Sequence, residues 1–420
     1  MAALITKIRL WAFGWSKVTR KNVAATALGG MICWFFAASL PAQESHPGFR
    51  PKLLTVDANE GIDLADLNGD GKIDVVAGRN WYPAPEFAPR PLRSIEDWNG
   101  YVESNGDFVF DVNQDGRLDV IAGSFLPTMV HWFENPGDAG LKLGQHWKKH
   151  ILVDTAISEN EGSFLRDLDG DGRPEWISNS WNRNNGVVVW KFSAQTAAPE
   201  NGTAETTNEL MPTLTKHIIG ANENSHGMGF GDINNDGRED ILTGSGWYER
   251  PERDQWVKAW KFHGDWENLQ ASVPMLVRDV DGDGLNDLIW GKGHDYGLYW
   301  WQGAGIDEQG KLKFNSHTID DQFSQVHVLH WADLVGDGTD ELIAGKRVRA
   351  HNEGDPGASE PACLYYYRWD DAKMAFSRFV IDEGHVGTGL QIRSADLNND
   401  GRLDLAVAGK GGTWILFNEN

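Results

Sequence analysis

The stretch Asp66-Leu67-Asn68-Gly69-Asp70-Gly71-Lys72-Ile73-Asp74 sets oxygen-bearing side chains at its first, third, fifth and ninth positions and glycine at its sixth. The phrase returns at Asp111 to Asp119, Asp167 to Glu175, Asp232 to Asp240, Asp279 to Asp287, Asp333 to Glu341 and Asp396 to Asp404. Short alternating or apolar runs flank each copy, Ile62-Asp63-Leu64-Ala65 before the first and Val75-Val76-Ala77 after it, so each phrase reads as the turn of a hairpin. A Gly-rich bend and an aromatic third strand follow, as at Val130-His131-Trp132-Phe133 and Gly297-Leu298-Tyr299-Trp300-Trp301. A fourth strand then recurs as aromatic-x-x-His-x-Ile/Leu or a close variant, at Trp147 to Leu152, Leu214 to Ile219, Phe314 to Ile319 and Phe376 to Ile381. Seven four-stranded units spaced 45 to 65 residues apart predict an all-β fold, a seven-bladed β-propeller. Phe49 to Leu54 reads as a fourth strand standing ahead of the first hairpin, while the chain stops just after a third strand. The N-terminal strand is therefore expected to complete the seventh blade and close the ring.

Calcium takes six to eight oxygens, and the phrase offers four side chains, a backbone carbonyl near position seven and room for water. Glycine at the sixth position lets the chain fold back around an ion. The expected ligands are Asp66, Asn68, Asp70 and Asp74 in the first copy, then Asp111, Asn113, Asp115 and Asp119, and Asp167, Asp169, Asp171 and Glu175. The fourth and fifth copies supply Asp232, Asn234, Asp236 and Asp240, and Asp279, Asp281, Asp283 and Asp287. The sixth offers Asp333, Asp337 and Glu341, and the seventh Asp396, Asn398, Asp400 and Asp404. Val335 stands where the other copies have Asn or Asp, so the sixth site is expected to be weak or empty. An EF-hand is excluded, because the closing acid falls at position nine and position twelve is Ala77, Ala122, Thr243 or Ala344 in place of the bidentate Glu. Six strand residues rise about 20 Å, so ions at the turns stand far from the open ends of the hairpins. Their expected role is to hold the fold.

Charge and cysteine usage point to the same staple. Lys7, Arg9, Lys17, Arg20 and Lys21 precede an apolar run from Val23 to Leu40, which reads as an export signal over residues 1–42, cleaved near Ala42. The alternative is an uncleaved N-terminal anchor, for which the apolar run is at the short end. Residues 43–420 would then form the propeller, exported to a periplasmic or extracellular setting. Cleavage would remove Cys33 and leave Cys363 as the remaining cysteine, so no intramolecular disulfide could form. No acid precedes Ala42, so the remainder carries 33 of the 38 bases against 61 acids, a formal charge of −28. That charge argues against nucleic acid or an anionic membrane as partner. Seven divalent ions would halve it. Two insertions interrupt the repeat: polar Ser193 to Pro212, which includes the sequon Asn201-Gly202-Thr203, and Lys346 to Cys363.

The phrase also serves as a ruler. Six residues before its first Asp stand Glu60, Asn105, Glu161, His226, Val273, His327 and Leu390. Five residues after its ninth position stand Arg79, Ser124, Ser180, Ser245, Lys292, Lys346 and, one residue displaced, Lys410. In a propeller the first strand of each blade lines the central channel, so both rings should meet at the mouth opposite the calcium turns. Two carboxylates, two imidazoles and several cations there suit general acid–base work and oxyanion stabilisation. His294, His351 and His385 fall in loops on the same face, whereas His150, His217 and His317 repeat in the fourth strand and read as structural. Trp81-Tyr82 and Trp247-Tyr248 directly follow second strands and are candidate sugar platforms. Neither a nucleophile elbow nor a local zinc-type Cys/His motif is visible.

The seven phrases resemble the FG-GAP/VCBS repeat family, whose members are calcium-stabilised seven-bladed propellers. A narrower resemblance lies late in the chain. His327-Val328-Leu329-His330-Trp331-Ala332-Asp333, Glu341-Leu342-Ile343-Ala344-Gly345-Lys346-Arg347 and His351-Asn352-Glu353-Gly354-Asp355-Pro356 resemble the propeller domain of aldos-2-ulose dehydratases. Gly387-Thr388-Gly389-Leu390-Gln391 and Ala408-Gly409-Lys410-Gly411-Gly412 do so as well. The resemblance implies a carbon–oxygen lyase that dehydrates a keto-sugar such as 1,5-anhydrofructose. The cupin domains that carry an isomerase step in that family are absent from this sequence, so isomerisation is not implied. The rim chemistry suggests His327 or His226 as base, Lys346 with Arg347 or Lys292 at the enolate, Glu60 or Glu161 as acid, and His351 close by. The reading from another class is a non-catalytic propeller that binds extracellular glycan or protein.

Overall fold

In the computed structural model, described for residues 46–419 apart from 99, 183–184, 194–210, 222–224, 253–254 and 256–257, each phrase turns a tight hairpin. The sixth-position glycine makes this turn, with φ of +82° at Gly71 and +90° at Gly172, a backbone any Cβ would resist. The first Asp draws the turn inward: Asp66 accepts the backbone N–H groups of Gly69 at 2.8 Å, Asp70 at 3.1 Å and Gly71 at 2.8 Å. The ninth residue closes it from the other side, Asp74 Oδ2 accepting the Leu67 N–H at 3.1 Å.

Four-stranded antiparallel sheets grow from these hairpins. Asp63–Ala65, Asp74–Ala77, Asn80–Tyr82 and Arg90–Pro91 make the sheet of the first phrase. Gly106–Phe110, Asp119–Gly123, Met129–Glu134 and Lys148–Asp154 make that of the second, and Asn160–Arg166, Glu175–Ser180, Val187–Phe192 and Leu214–Gly220 that of the third. The sixth phrase organises Val326–Ala332, Glu341–Lys346, Cys363–Asp370 and Ala375–Glu383. The fourth and fifth phrases share one eight-stranded sheet, in which Met228–Gly231 runs parallel to Met275–Arg278, with Gly229 opposite Met275 and Phe230 opposite Leu276. Close approach is permitted there because Gly229 has no Cβ, which would fall 2.4 Å from the Met275 carbonyl oxygen. In the sheet of the last phrase, Phe49–Thr55 pairs antiparallel with Gly412–Asn418, so the N-terminal strand is its fourth member.

This is an all-β propeller. Its core lies between neighbouring sheets, where Phe108, Ile121 and Trp132 meet Trp176 and Trp190, and Ile343, Leu364 and Tyr366 meet Ile392, Leu405 and Val407. Each such buried side chain contributes about 1.5–3 kcal/mol. The fourth-strand histidines are packing residues: His150 stacks on Trp132 at 4.5 Å and His317 on Trp300 at 4.5 Å. His263, which carries no pattern in the sequence, stacks on Trp247 in the same way at 4.1 Å. The two aromatic pairs expected as sugar platforms are core instead. Trp81, Tyr82, Trp247 and Tyr248 are all buried between sheets.

First strands from around the ring line a cavity of about 540 Å³, walled by Asp63, Phe108, Phe164, Phe230, Met275, Trp331 and Arg393 among others. Ion pairs tie neighbouring units around it: Arg166 to Glu239, Arg278 to Asp340 at 2.5 Å and Arg393 to Asp63 at 2.9 Å. A short helix, Gly137–Leu143, is an insertion no repeat pattern foreshadows. Cys363 is buried with a free thiol. Residues 1–42, Cys33 and the sequon at Asn201 lie outside the described residues, among which no helix is long and apolar enough to cross a membrane.

Candidate functional site

Part of each register ring meets around Arg347: Glu60, Glu161 and His327 of the first, and Lys410 of the second. Arg347 follows the strand Glu341–Lys346, its N–H donating to the Gln325 carbonyl at 3.0 Å. Its guanidinium grips Glu60 with two bonds, Nε to Oε1 at 2.6 Å and Nη2 to Oε2 at 2.9 Å, and reaches Glu161 Oε1 from Nη1 at 2.5 Å. Lys410 Nζ adds a contact to Glu60 Oε2 at 3.3 Å. Arg347 and both carboxylates are almost fully buried. Burial opposes ionisation of the two carboxylates, but Arg347 outweighs it. Glu60 is held below its ordinary range and Glu161 well below. Neither carboxylate is placed to donate a proton. Glu60 and Glu161 therefore converge on a charge and form a buried ionic plug.

Beside the plug lies an imidazole cluster. His226 Nδ1 is 2.8 Å from the Ala271 carbonyl oxygen, which can only accept, so this nitrogen carries the proton and Nε2 presents a lone pair. His294 Nδ1 is 3.1 Å from Asp355 Oδ2, which fixes the same tautomer. The two Nε2 atoms are 2.8 Å apart. Two lone pairs at that distance require a proton between them, or must part to about 3.3 Å to share a tetrahedral ion at about 2.0–2.1 Å from each. Burial drives the His226 imidazolium down to about 4 and lowers His294 as well, despite Asp355, which weighs against a shared proton at neutral pH. Imidazoles whose Nδ1–H groups are held by a carbonyl and a carboxylate have the outer partners typical of metal ligands. Nitrogen donors suit zinc or a similar transition metal better than calcium.

His351 extends the cluster, its Nδ1 lying 3.1 Å from Asp355 Oδ1 and its ring stacking on His294 at 4.3 Å. His327 Nε2 instead accepts from Arg347 Nη1 at 2.9 Å. Ligand atoms of His226, His294 and His327 lie within 4.8 Å of one another. The local sequence shows no zinc motif because these histidines come from three separate units.

The cluster forms one wall of a pocket of about 380 Å³ whose lining includes Glu161, Trp181, Asn268 and Gln270. Trp181 is 42% exposed at its rim. The insertion after Lys346 crosses this face. Arg349, His351 and Glu353 take φ of 54°, 44° and 65°, three strained left-handed residues within five. Arg349 ties the insertion to the Gly100 carbonyl at 3.1 Å and the Lys410 carbonyl at 3.3 Å, and Lys346 Nζ to that of Gly357.

Of the residues expected at the rim, Glu60, Glu161, His226, His327, Arg347 and His351 come together. Lys346 does not face the pocket, because its buried ammonium is spent on the insertion's own backbone. Lys292 lies to one side, 3.4 Å from Asp295. His385 is largely exposed beside Asp382. Sequence reasoning missed Trp181, Asn268, Gln270 and the double hold of Asp355. Trp181 directly follows Ser180, one of the five-after register residues, and Asp355 stands in the quoted insertion motif.

The turns at the opposite end fit calcium by their chemistry. Burial, with neighbouring acids, pushes Asp74 up to about 6 and Asp119 and Asp240 to about 7. A cation among those oxygens would relieve the crowding. Oxygens of Asp279, Asp281 and Asp287, and of Asp167, Asp169 and Glu175, converge closely enough to share one ion.

Residues 111–178, 167–243 and 279–344 match the family model described as FG-GAP-like repeat. The matched stretches, just under half of the chain, are FG-GAP-like repeats. No curated protein matches it. Among solved structures it is similar to a lectin of Agrocybe aegerita, described as recognising non-reducing terminal N-acetylglucosamine, with 16% identity, a TM-score of 0.47 and 86% of each chain covered. It is also similar to BBS1N in complex with ARL6DN, soaked with lead, with 8% identity and a TM-score of 0.45 over 87% of this chain and 94% of that one. Likenesses at these levels transfer no ligand to the repeat protein.

Proposed function

We propose that this FG-GAP-repeat chain is an exported seven-bladed propeller, with the eight-stranded sheet counted as two blades, stabilised by calcium at its turns. In this reading the pocket beside Arg347 takes a keto-sugar and removes water from it. The observation that carries the site is the pair of Nε2 lone pairs of His226 and His294, aimed at each other from fixed tautomers. A divalent cation held by His226 and His294, with His327 or His351 nearby, would supply Lewis-acid polarisation of a carbonyl.

The chain's own groups fill the remaining roles. His351, half exposed and oriented by Asp355, presents Nε2 as base. It takes the proton α to the carbonyl, the C–H pair becomes the C=C bond, and the β C–O bond breaks. The hydroxyl leaves as water with the proton His351 has taken. Glu161, kept ionised by Arg347, accepts a hydrogen bond from a ligand hydroxyl at the pocket wall. Asn268 and Gln270 offer further polar contacts, and Trp181 provides a face for the ring.

Purified full chain with calcium and zinc, incubated with 1,5-anhydrofructose and related keto-sugars, is expected to develop the ultraviolet absorbance of an enone, and His351→Ala to lose it. No absorbance across the panel refutes the dehydratase reading. The second reading is a non-catalytic glycan-binding propeller, favoured specifically by Trp181, an exposed aromatic at a pocket rim. Saturable glycan binding without turnover would establish it.

A further inference from the structure

Seven turns share one phrase, yet in two of them a cation reaches the ninth-position acid. In the third, Glu175 pairs across the sheet with Lys191, whose Nζ bonds Asp169, lies 2.6 Å from Asp171 Oδ2 and 3.5 Å from Glu175 Oε1. In the sixth, Arg368 lies 2.7 Å from Asp337 Oδ2 and 3.4 Å from Glu341 Oε1. These are the two phrases that end in Glu; the other five end in Asp. The longer acid and the facing base occur together in both, and neither occurs elsewhere. By register, Glu134, Glu249 and Gln302 face the ninth position in the second, fourth and fifth phrases.

The fifth phrase is the natural control. It has the same count of four acids as the third, but Gln302 gives Asp281 a neutral hydrogen bond at 2.5 Å where Lys191 brings a charge. In the second, fourth and seventh phrases, Arg117, Arg238 and Arg402 pair with the fifth-position Asp. Asp404 spends both oxygens on backbone N–H groups, of Leu397 and Asn418, whereas Glu175 and Glu341 accept the Leu168 and Leu334 N–H groups through Oε2 and turn Oε1 to the base. Calcium sits 2.3–2.6 Å from each of its oxygens, which in the third phrase is the space the lysine ammonium fills. Like charge then opposes a second cation. Of the three acids that converge there, Asp169 and Glu175 both face Lys191.

We propose that Lys191 and Arg368 close the third and sixth turns in place of calcium, so that the chain binds five calcium ions and not seven. This rests on the calcium reading above. It goes beyond the loss of Val335's ligand in the sixth phrase, because the third phrase has every oxygen the motif requires. Two units of the ring would keep their turns pinned when calcium is scarce, and the other five would depend on it.

The test is metal analysis of the full chain after equilibrium dialysis in excess calcium. Five ions per chain are expected, and six for Lys191→Met, which frees a complete oxygen set. Six or seven ions in the parent chain, or an unchanged five in Lys191→Met, overturn the proposal while leaving the calcium reading in place. No ions at all in the parent overturn both. If Lys191→Met folds only with calcium present, its count in calcium still decides, and six supports the proposal.

Discussion

Arg347→Met is the most informative single change, because it strands two buried carboxylates at once. In the parent chain the guanidinium makes three short bonds, two to Glu60 and one to Glu161, with all three side chains at most 5% exposed. Removing one partner of a buried ion pair costs about 3–5 kcal/mol, largely from the charge left behind. Lys410 remains beside Glu60 at 3.3 Å, so Glu161 bears most of the loss. Against a total stability of roughly 5–15 kcal/mol, the variant should be severely weakened.

The pH dependence should change sign. In the parent, Glu161 is depressed well below its ordinary value, so its stabilisation is complete above the unfolded value and fades as pH falls through the folded one. In Arg347→Met, burial of Glu161 loses its main opponent and raises that carboxylate, while Lys410 still holds Glu60, so acidification from neutral pH should restore stability. Urea denaturation at pH 7 and pH 5.5 reads both effects. Adding Glu60→Gln and Glu161→Gln to the variant should recover most of the loss. A single variant within about 1 kcal/mol of the parent, with the parent's pH slope, would refute the assignment of Arg347 as the charge that holds this cluster.

Three further outcomes follow from the same geometry. Chelating calcium should lower the melting temperature by many degrees without unfolding the pocket first, which differential scanning calorimetry and the fluorescence difference between the parent and Trp181→Phe would separate. Metal binding should hold from neutral pH down toward pH 4 as far as His226 is concerned, since burial keeps its imidazole neutral until about 4, and be lost below that; zinc titrations across this range check it. Trp181→Ala should raise KM by roughly ten- to a hundredfold, in line with about 1.5–3 kcal/mol for a buried aromatic contact, and leave kcat nearly unchanged.

The repeat made most of the fold legible. A glycine at the sixth position and acids at the first and ninth dictate a turn, and the alternation around them dictates paired strands. The same ruler found Glu60, Glu161, His226 and His327, because in a closed ring equal sequence offsets become equal heights. What it could not show is direction of charge. Arg347 stands one residue beyond the register residue Lys346, and that single step turns a ring of presumed acids and bases into a neutralised plug. Side-chain burial was also hidden: Trp81 and Trp247 look like platforms in sequence but face their neighbouring sheets. The imidazole pair was illegible for a different reason, since His226 and His294 meet only through the packing of two units and through Asp355 on an insertion.

The pocket beside Arg347 can be seen at work in a crystal of the protein soaked with zinc and 1,5-anhydrofructose. The metal is expected between His226 and His294, with the sugar against Trp181 and Glu161. Ligand density in the channel cavity below Arg347, or a metal-free imidazole pair with an empty pocket, would contradict it.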